Sequence, residues 1–223
     1  MSADLLGLAD LSPSLAELRR YSGNPRALTR FYQGVGLLDD WRLEDAETSL
    51  REAIALDSTF AMAHHNLALT LYWQWVRDEE GADGPEIGRH SATALRHAGT
   101  LTSRDSAHVS AFNLFQLGDY DNSRKTYRAL IERDSTDVYA WVMWGSLEWK
   151  DPWIVEDEEG RLTPRSNLNQ AVRAFTKTVQ LSPGFHLGYG HLFDIQDRIA
   201  NGNGRGFEMP PSELIAPWEE STL

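Results

Sequence analysis

A helical pattern that recurs along the chain limits the folds open to it more than any other feature. Small and apolar side chains follow one another at spacings of four and three residues, which places them on one face of a helix. Four segments carry this pattern: Ala46, Leu50, Ala53 and Leu56; Ser91, Leu95, Ala98 and Leu101; Ser123, Tyr127 and Leu130; and Ala171, Phe175, Thr178 and Leu181. Recurrence of one helical unit predicts helices that stack on their sequence neighbours rather than around one central core.

The distances between equivalent positions indicate where extra residues lie. There are 45 residues from Ala46 to Ser91, 32 from Ser91 to Ser123 and 48 from Ser123 to Ala171. A helix-turn-helix unit of about 34 residues accounts for the middle distance. The two longer distances predict insertions at 76–89 and 150–165, and both insertions are acidic.

Some of the small residues stand where two helices would have to cross closely. Helices whose axes cross about 8–10 Å apart need small side chains at the crossing, and we expect Gly34, Ala46, Ala68 and Gly145 to supply them. With Trp141 four residues before Gly145, the pattern resembles the tetratricopeptide repeat (TPR) family. The resemblance implies an all-α fold, a right-handed superhelix (α-solenoid) of about five TPR-like helix-turn-helix repeats.

The repeat pattern also divides the chain into three parts. The TPR-like array covers 25–200. Before it, Ser12 and Pro13 supply a cap and a first helical position, so residues 1–24 are predicted to form a capping helix. After it, the glycine-rich sequence that begins at Asn201 loses the period, and residues 201–223 are predicted to be a linker and a short C-terminal segment.

Composition excludes several function classes. With 21 basic and 33 acidic residues the net charge is −12, which disfavours nucleic acid and anionic membrane surfaces as partners. The chain has no cysteine, which excludes disulfides and thiol nucleophiles. It also has no run of about 18 apolar residues, so we expect no membrane insertion. No nucleophile and base stand at a catalytic spacing, and no cofactor or catalytic residue is predicted. The sequence therefore favours a protein that is not an enzyme.

The family resemblance implies a binding surface, because TPR superhelices bind partners along the concave face lined by the first helix of each unit. These positions are aromatic and apolar rather than basic, which favours a peptide or protein partner held by buried side chains. Packing between neighbouring helices is the alternative role, and the sequence does not decide between the two. The predicted groove residues are Tyr32, His65, Asn66, Leu69, Tyr72, Trp73, His108, Phe112, Phe115, Met143 and Trp149.

Two acidic runs in the insertions could steer a basic partner, or could simply be solvated charge. They are Asp78, Glu79 and Glu80, and Glu156, Asp157, Glu158 and Glu159. His64, His90 and His97 are candidate metal ligands that could share one face, but no spacing typical of zinc ligands occurs there. We therefore predict no metal site.

A narrower resemblance leads to an alternative function. The order of segments from the helix around Leu67 to the stretch that follows Leu181 is similar to repeat regions attached to bacterial signalling proteins. This resemblance implies a regulatory or sensor segment of a larger kinase, cyclase or transcription regulator. The expected location is cytoplasmic, or the extracytoplasmic part of a membrane-anchored protein if the chain is a fragment. The sequence leaves the partner and the oligomeric state open.

Overall fold

The computed structural model describes residues 20–78, 84–156 and 159–198. Within them lie nine α-helices and one two-stranded sheet. In chain order they are α1 Pro25–Asp39, α2 Leu43–Leu56, α3 Ala61–Asp78, α4 Gly84–Arg96, α5 Ser103–Gln116, α6 Tyr120–Arg133, α7 Val138–Lys150, β1 Ile154–Glu156, β2 Leu162–Pro164, α8 Leu168–Leu181 and α9 His186–Arg198. The predicted capping helix, apart from 20–24, and the predicted C-terminal segment 201–223 lie outside the described residues.

Short polar side chains fix where several helices begin. Asp119 accepts a hydrogen bond from the backbone N–H of Asn122 at the start of α6, and Asp137 accepts one from Ala140 at the start of α7. Asn167 does the same in the first turn of α8. Such caps satisfy N–H groups that have no partner inside the helix. The chain is thereby divided into helices short enough to stack as pairs.

The helices form two compact units, which are described separately. Of the described residues, the first unit comprises those within 20–38 and 42–109, and the second comprises those within 39–41 and 110–198. In the first unit α2 packs on α3 and α3 packs on α4. In the second α6 packs on α7, α7 on α8, and α8 on α9. The predicted all-α fold of TPR-like consecutive helix pairs is confirmed, whereas the division of the 25–200 array at Val109 was not predicted.

In the first unit the expected close crossing occurs at Gly34. A Cβ atom added to this residue would lie 2.7 Å from the Leu50 Cγ atom of α2, closer than two carbon atoms can approach. Ala46 and Ala68 are fully buried in the same unit. The small residues therefore stand at the contacts for which the sequence pattern selected them.

The second unit contains two further crossings of this kind. A Cβ on Gly145 of α7 would lie 2.7 Å from the Phe175 ring of α8, and a Cβ on Gly188 of α9 would lie 2.7 Å from Val179 Cγ1. Gly145 was predicted, but Gly188 was not. Gly145 thus allows the close approach of α7 to α8, and Gly188 allows that of α9 to α8.

The two acidic insertions are more ordered than the sequence predicts. Much of 76–89 is helical, because α3 continues to Asp78 and α4 begins at Gly84. Within 150–165 the chain forms an antiparallel hairpin in which Val155 pairs with Thr163. The β-branched residues there suit a strand, and Gly160 has a positive φ of 76°, which glycine adopts without strain. The hairpin was not predicted.

Two glycines of α1 give opposite expectations on substitution by alanine. Gly36→Ala should raise the free energy of unfolding by about 0.5–1 kcal/mol, because alanine favours the helix and its Cβ would meet nothing within 4 Å. Gly34→Ala should lower it by about 1–3 kcal/mol, because the Cβ overpacks against Leu50. Urea unfolding of both variants measures the difference, and equal shifts would contradict the close crossing.

Candidate partner-binding site

The predicted groove residues are mostly buried. Tyr32 of α1 is exposed, at 44% of its surface. The other ten are buried; they are His65, Asn66, Leu69, Tyr72 and Trp73 of α3, His108, Phe112 and Phe115 of α5, and Met143 and Trp149 of α7. This burial favours helix packing over groove lining for these ten residues, the two roles that the sequence left open.

The reason is clearest in α3. This helix is buried on nearly its whole circumference: every residue from Ala63 to Trp73 is buried, polar ones such as His65 and Asn66 included. A helix of that kind belongs inside a fold rather than at a surface. The Tyr72 and Trp73 rings lie 4.6 Å apart between centroids, so these aromatic groups contact each other within the unit.

Of the histidines predicted for the groove, His65 is held neutral. Burial, together with the nearby His108, lowers the pKa of His65 to about 3. Removing the ring from water disfavours the charged form. His65 is therefore uncharged at neutral pH. Both His65 and His108 are buried within the first unit.

The His65 ring makes the first unit sensitive to mild acid. The pKa is about 3 in the folded chain and about 6.5 when unfolded. As pH falls below about 6.5, His65 binds a proton in the unfolded chain but not in the folded chain. The free energy of unfolding therefore decreases by about 1.4 kcal/mol per pH unit. We expect His65→Gln to flatten this slope in urea titrations between pH 7 and 5, whatever its stability at pH 7. An unchanged slope would contradict the assignment.

Two other histidines meet directly. The Nδ1 atoms of His64 and His90 are 2.8 Å apart, and His64 Nε2 is 3.0 Å from the carbonyl oxygen of Ser58. Burial lowers the pKa of both rings. Among the described residues, no three histidine, aspartate or glutamate side chains converge as ligands of a metal ion, so this pair is a hydrogen-bonded contact between α3 and α4.

The acidic runs are only partly described. Asp78 is exposed and accepts a 2.7 Å hydrogen bond from Arg77. Glu156 is exposed on β1, and Glu159 pairs with Arg161 at 3.0 Å. The remaining predicted residues, Glu79, Glu80, Asp157 and Glu158, lie outside the described residues.

A buried cluster of charges lies at the base of the hairpin in the second unit. The Asp151 carboxylate is fully buried and accepts hydrogen bonds from Arg165 Nε at 2.6 Å and Arg124 Nη2 at 2.9 Å. Arg124 Nε also donates to the Glu148 carboxylate at 2.7 Å, and the Trp144 indole N–H donates to Glu148 at 3.0 Å. We call these five residues the Asp151 cluster. It connects α6 and α7 to the end of β2.

Backbone hydrogen bonds attach both ends of the hairpin to this cluster. The Trp153 N–H donates to Asp151 Oδ1 at 3.0 Å, and the Arg165 N–H donates to the Trp153 carbonyl at 2.8 Å. Beyond the hairpin, the Asn167 N–H donates to the Glu148 carbonyl at 2.9 Å. The hairpin is therefore fixed at its base on α7.

The pKa of Asp151 reflects these contacts. Burial alone would raise it, but hydrogen bonds from Arg165, Arg124 and the Trp153 N–H outweigh burial and hold the pKa below its ordinary value. Donors to a carboxylate and adjacent guanidinium groups both favour the charged form. Asp151 is consequently ionised at neutral pH.

Beyond its fixed base, the hairpin exposes apolar side chains. The exposed fractions are 56% for Trp153, 57% for Ile154, 39% for Val155 and 75% for Leu162. We call these four residues the hairpin surface. Because side chains alternate along a strand, Trp153 and Val155 lie on one face of the hairpin, and Ile154 and Leu162 lie on the other. Exposed apolar side chains on an ordered element are typical of an interaction site. Trp153 lies in the insertion, as the sequence predicts, but the side chains that accompany it were not found by sequence reasoning.

Comparisons with known proteins add little to this geometry. No protein-family model and no curated protein matches the chain. Among solved structures, a MamA double mutant (RS-1 ArsTM) is 14% identical, with a TM-score of 0.41, over 89% of this chain and 97% of that one. YrrB, described as a TPR protein with an unusual peptide-binding site, is 16% identical, with a TM-score of 0.38, over 87% and 92%. With such TM-scores, neither structure adds to what the helix pairs of this chain show.

Hydropathy bears on the predicted lack of membrane insertion. Of the helices in the described part of the chain, none combines the length and apolar character that crossing a bilayer requires.

Loss of the Asp151 charge should destabilise the second unit strongly. Asp151→Asn removes the buried carboxylate that Arg124 and Arg165 share. Arg124 keeps Glu148, and Arg165 keeps the exposed Asp121, so we expect a loss of about 1.5–3 kcal/mol in the free energy of unfolding at pH 7. The matched control is Glu159→Gln, which removes an exposed ion pair with Arg161 and should change stability by less than about 1 kcal/mol.

The stability difference between wild type and Asp151→Asn should also depend on pH. Because the pKa of Asp151 is lower in the folded chain than in the unfolded chain, its contribution is fully present above the unfolded value of about 3.9. It is lost as pH falls through the folded value. The stability difference between wild type and Asp151→Asn, followed by chemical unfolding, should therefore be constant from pH 7 to 5 and shrink below about pH 4. A difference that grows in acid would contradict the cluster.

Proposed function

We propose that this chain is a non-catalytic protein-interaction scaffold whose partner contacts the hairpin surface of the second unit. One observation carries the proposal: a hairpin whose base is fixed by a buried ionic cluster holds Trp153, Ile154 and Leu162 in solvent. A hairpin of two three-residue strands is marginal by itself. Its attachment to Asp151 keeps the apolar side chains in place without burying them.

This arrangement suits binding for an entropic reason. Association is opposed by the ordering of flexible groups, at about 0.5–1.5 kcal/mol for each immobilised side chain. A hairpin that is already ordered avoids part of that loss. Tryptophan is also among the side chains that most often dominate interface energetics, which makes Trp153 the expected anchor.

Charge favours a basic partner. Glu156 and Glu159 stand exposed beside the apolar side chains, and the whole chain carries a net charge of −12. Such a field accelerates the approach of a basic surface. The acidic side chains would thus steer a partner that the apolar side chains then hold.

Two other functional predictions from the sequence remain predictions. The aromatic groove remains a prediction with Tyr32 as its exposed member. The alternative of a regulatory segment in a larger bacterial signalling protein also remains a prediction. A scaffold role without catalysis agrees with a sequence in which no nucleophile stands at a catalytic spacing from a base.

Site-specific photocross-linking in the source cells tests the proposal. A photoreactive amino acid replaces Trp153 in one protein and Leu117 in another, and mass spectrometry identifies the products. Leu117 is the control because it is a large apolar residue of the same unit, exposed at 74% and outside the hairpin. We expect a discrete partner from position 153 and none from position 117. Equal products, or none from position 153, would contradict the hairpin surface as the contact.

Once the partner is identified, its affinity for variants of this chain measures the contribution of Trp153 to binding. Trp153→Ala should weaken binding about tenfold or more, because loss of a central interface tryptophan typically removes 2 kcal/mol or more. Leu117→Ala should change the dissociation constant by less than about twofold. Calorimetric titration of both variants provides the comparison, and a Trp153→Ala protein that binds normally would remove this residue from the interface.

A further inference from the structure

The hydrogen-bond pattern of the hairpin determines which backbone groups face outward. The Arg165 N–H donates to the Trp153 carbonyl, so these residues form a hydrogen-bonded pair of the antiparallel ladder. Such pairs alternate with non-hydrogen-bonded ones. Given the register Ile154 with Pro164 and Val155 with Thr163, the backbone N–H and C=O groups of Ile154 point away from β2.

Within the described part of the chain, no strand pairs with the free edge of β1, so this edge is open there. Ile154 and Glu156 share the outward orientation, since they are two residues apart on one strand. Both are exposed. The edge consequently presents two N–H groups and two carbonyl groups in the spacing that an added strand pairs with.

The free edge of β2 is chemically different. The residues of β2 that point outward are Leu162 and Pro164, the partners of Glu156 and Ile154. Proline has no N–H to donate, and its presence on an edge blocks further pairing there. The hairpin thus has one open edge and one closed edge.

We propose that the open edge of β1 binds an extended segment of a partner protein as a third antiparallel strand, and that this segment carries a basic residue followed by apolar ones. This inference rests on the proposed function and names its mode of recognition. Directly opposite residues in adjacent strands have side chains in contact. A segment paired along β1 therefore places apolar side chains against Ile154 and Val155 and a lysine or arginine against Glu156.

Charge complementarity selects this occupant over a second copy of the chain. Antiparallel pairing of β1 with itself, centred on Val155, would set Glu156 against the apolar Ile154 of the other copy. Two chains that each carry −12 would also repel one another. An apolar and basic segment meets neither difficulty.

A synthetic probe allows the edge to be tested without the natural partner. The probe is an acetylated and amidated peptide of four valines flanked on each side by two lysines, labelled with a fluorophore and titrated by anisotropy. Its counterpart has the same side chains and charges, but every valine nitrogen is methylated, which removes the N–H groups that strand pairing needs. We expect the methylated peptide to bind at least tenfold more weakly. Equal binding of the two peptides would overturn the strand-addition mode.

Variants of Ile154 provide a matched pair on the protein side. Ile154→Pro removes the outward N–H while leaving the inward hydrogen bonds of the hairpin in place, whereas Ile154→Val keeps it. The probe should bind at least tenfold more weakly to Ile154→Pro and within twofold to Ile154→Val. Similar affinities for both variants would overturn the proposal. The peptide comparison uses the wild-type chain and is independent of how the proline variant folds.

Backbone amides report the contact itself. In the wild-type chain, the probe should slow hydrogen exchange at Ile154 and Glu156, whose N–H groups face the edge; unchanged exchange at both would overturn the pairing. Light scattering without peptide tests whether a second copy of the chain occupies the edge. If the wild-type chain is a dimer and Ile154→Pro is a monomer, the edge binds a second copy and the proposal is overturned.

These outcomes are distinct from failure of the proposed function. Cross-links at position 153 combined with probe binding insensitive to N-methylation would keep the scaffold and discard the strand edge. Absence of cross-links would instead remove the scaffold role at this surface, whatever the probe shows.

Discussion

Asp151 is a carboxylate without solvent contact, and the second unit is arranged to satisfy it. Arg124 reaches it from α6, Arg165 from the end of β2, and its own Oδ1 atom accepts the Trp153 N–H. Taking a carboxylate out of water is unfavourable unless its oxygens are paired and hydrogen-bonded. The position of the hairpin follows from that requirement, since only with β2 in place does Arg165 reach the carboxylate.

Such a cluster contributes more to position than to net stability. The desolvation of buried ions offsets much of their attraction, and apolar replacements are often as stable. An apolar base, however, would accept several orientations of a short hairpin. The fixed geometry of guanidinium and carboxylate pairs permits few. We infer that the cluster determines where the hairpin surface points, and that the helix pairs supply the stability.

The sequence predicted those parts of the structure that depend on neighbouring residues. Gly34 and Gly145 were recognisable because a small residue at a crossing recurs at a fixed place in a repeat, and the crossings exist. Gly188 also stands at a crossing but was missed, because the last of the four segments that carry the recurring pattern ends at Leu181 and no later segment repeats it.

The parts that were missed depend on residues distant in sequence. Arg124 lies 27 residues from Asp151, and nothing local marks either as a buried ion. The role of Tyr72 and Trp73 was undecidable for a related reason. Helix α3 carries apolar side chains on every side and is buried all round from Ala63 to Trp73, so periodicity alone does not separate a surface that contacts a ligand from one that contacts another helix.

Pro164 has a consequence for assembly. Open-ended polymers form when two different surfaces of one subunit meet repeatedly, head to tail. Because β2 carries a proline on its outer edge, β1 of one molecule has no complementary strand edge on the hairpin of the next. Association through this sheet is restricted to closed pairs or to a foreign strand, and growth of a filament from the hairpin has no second edge on which to continue.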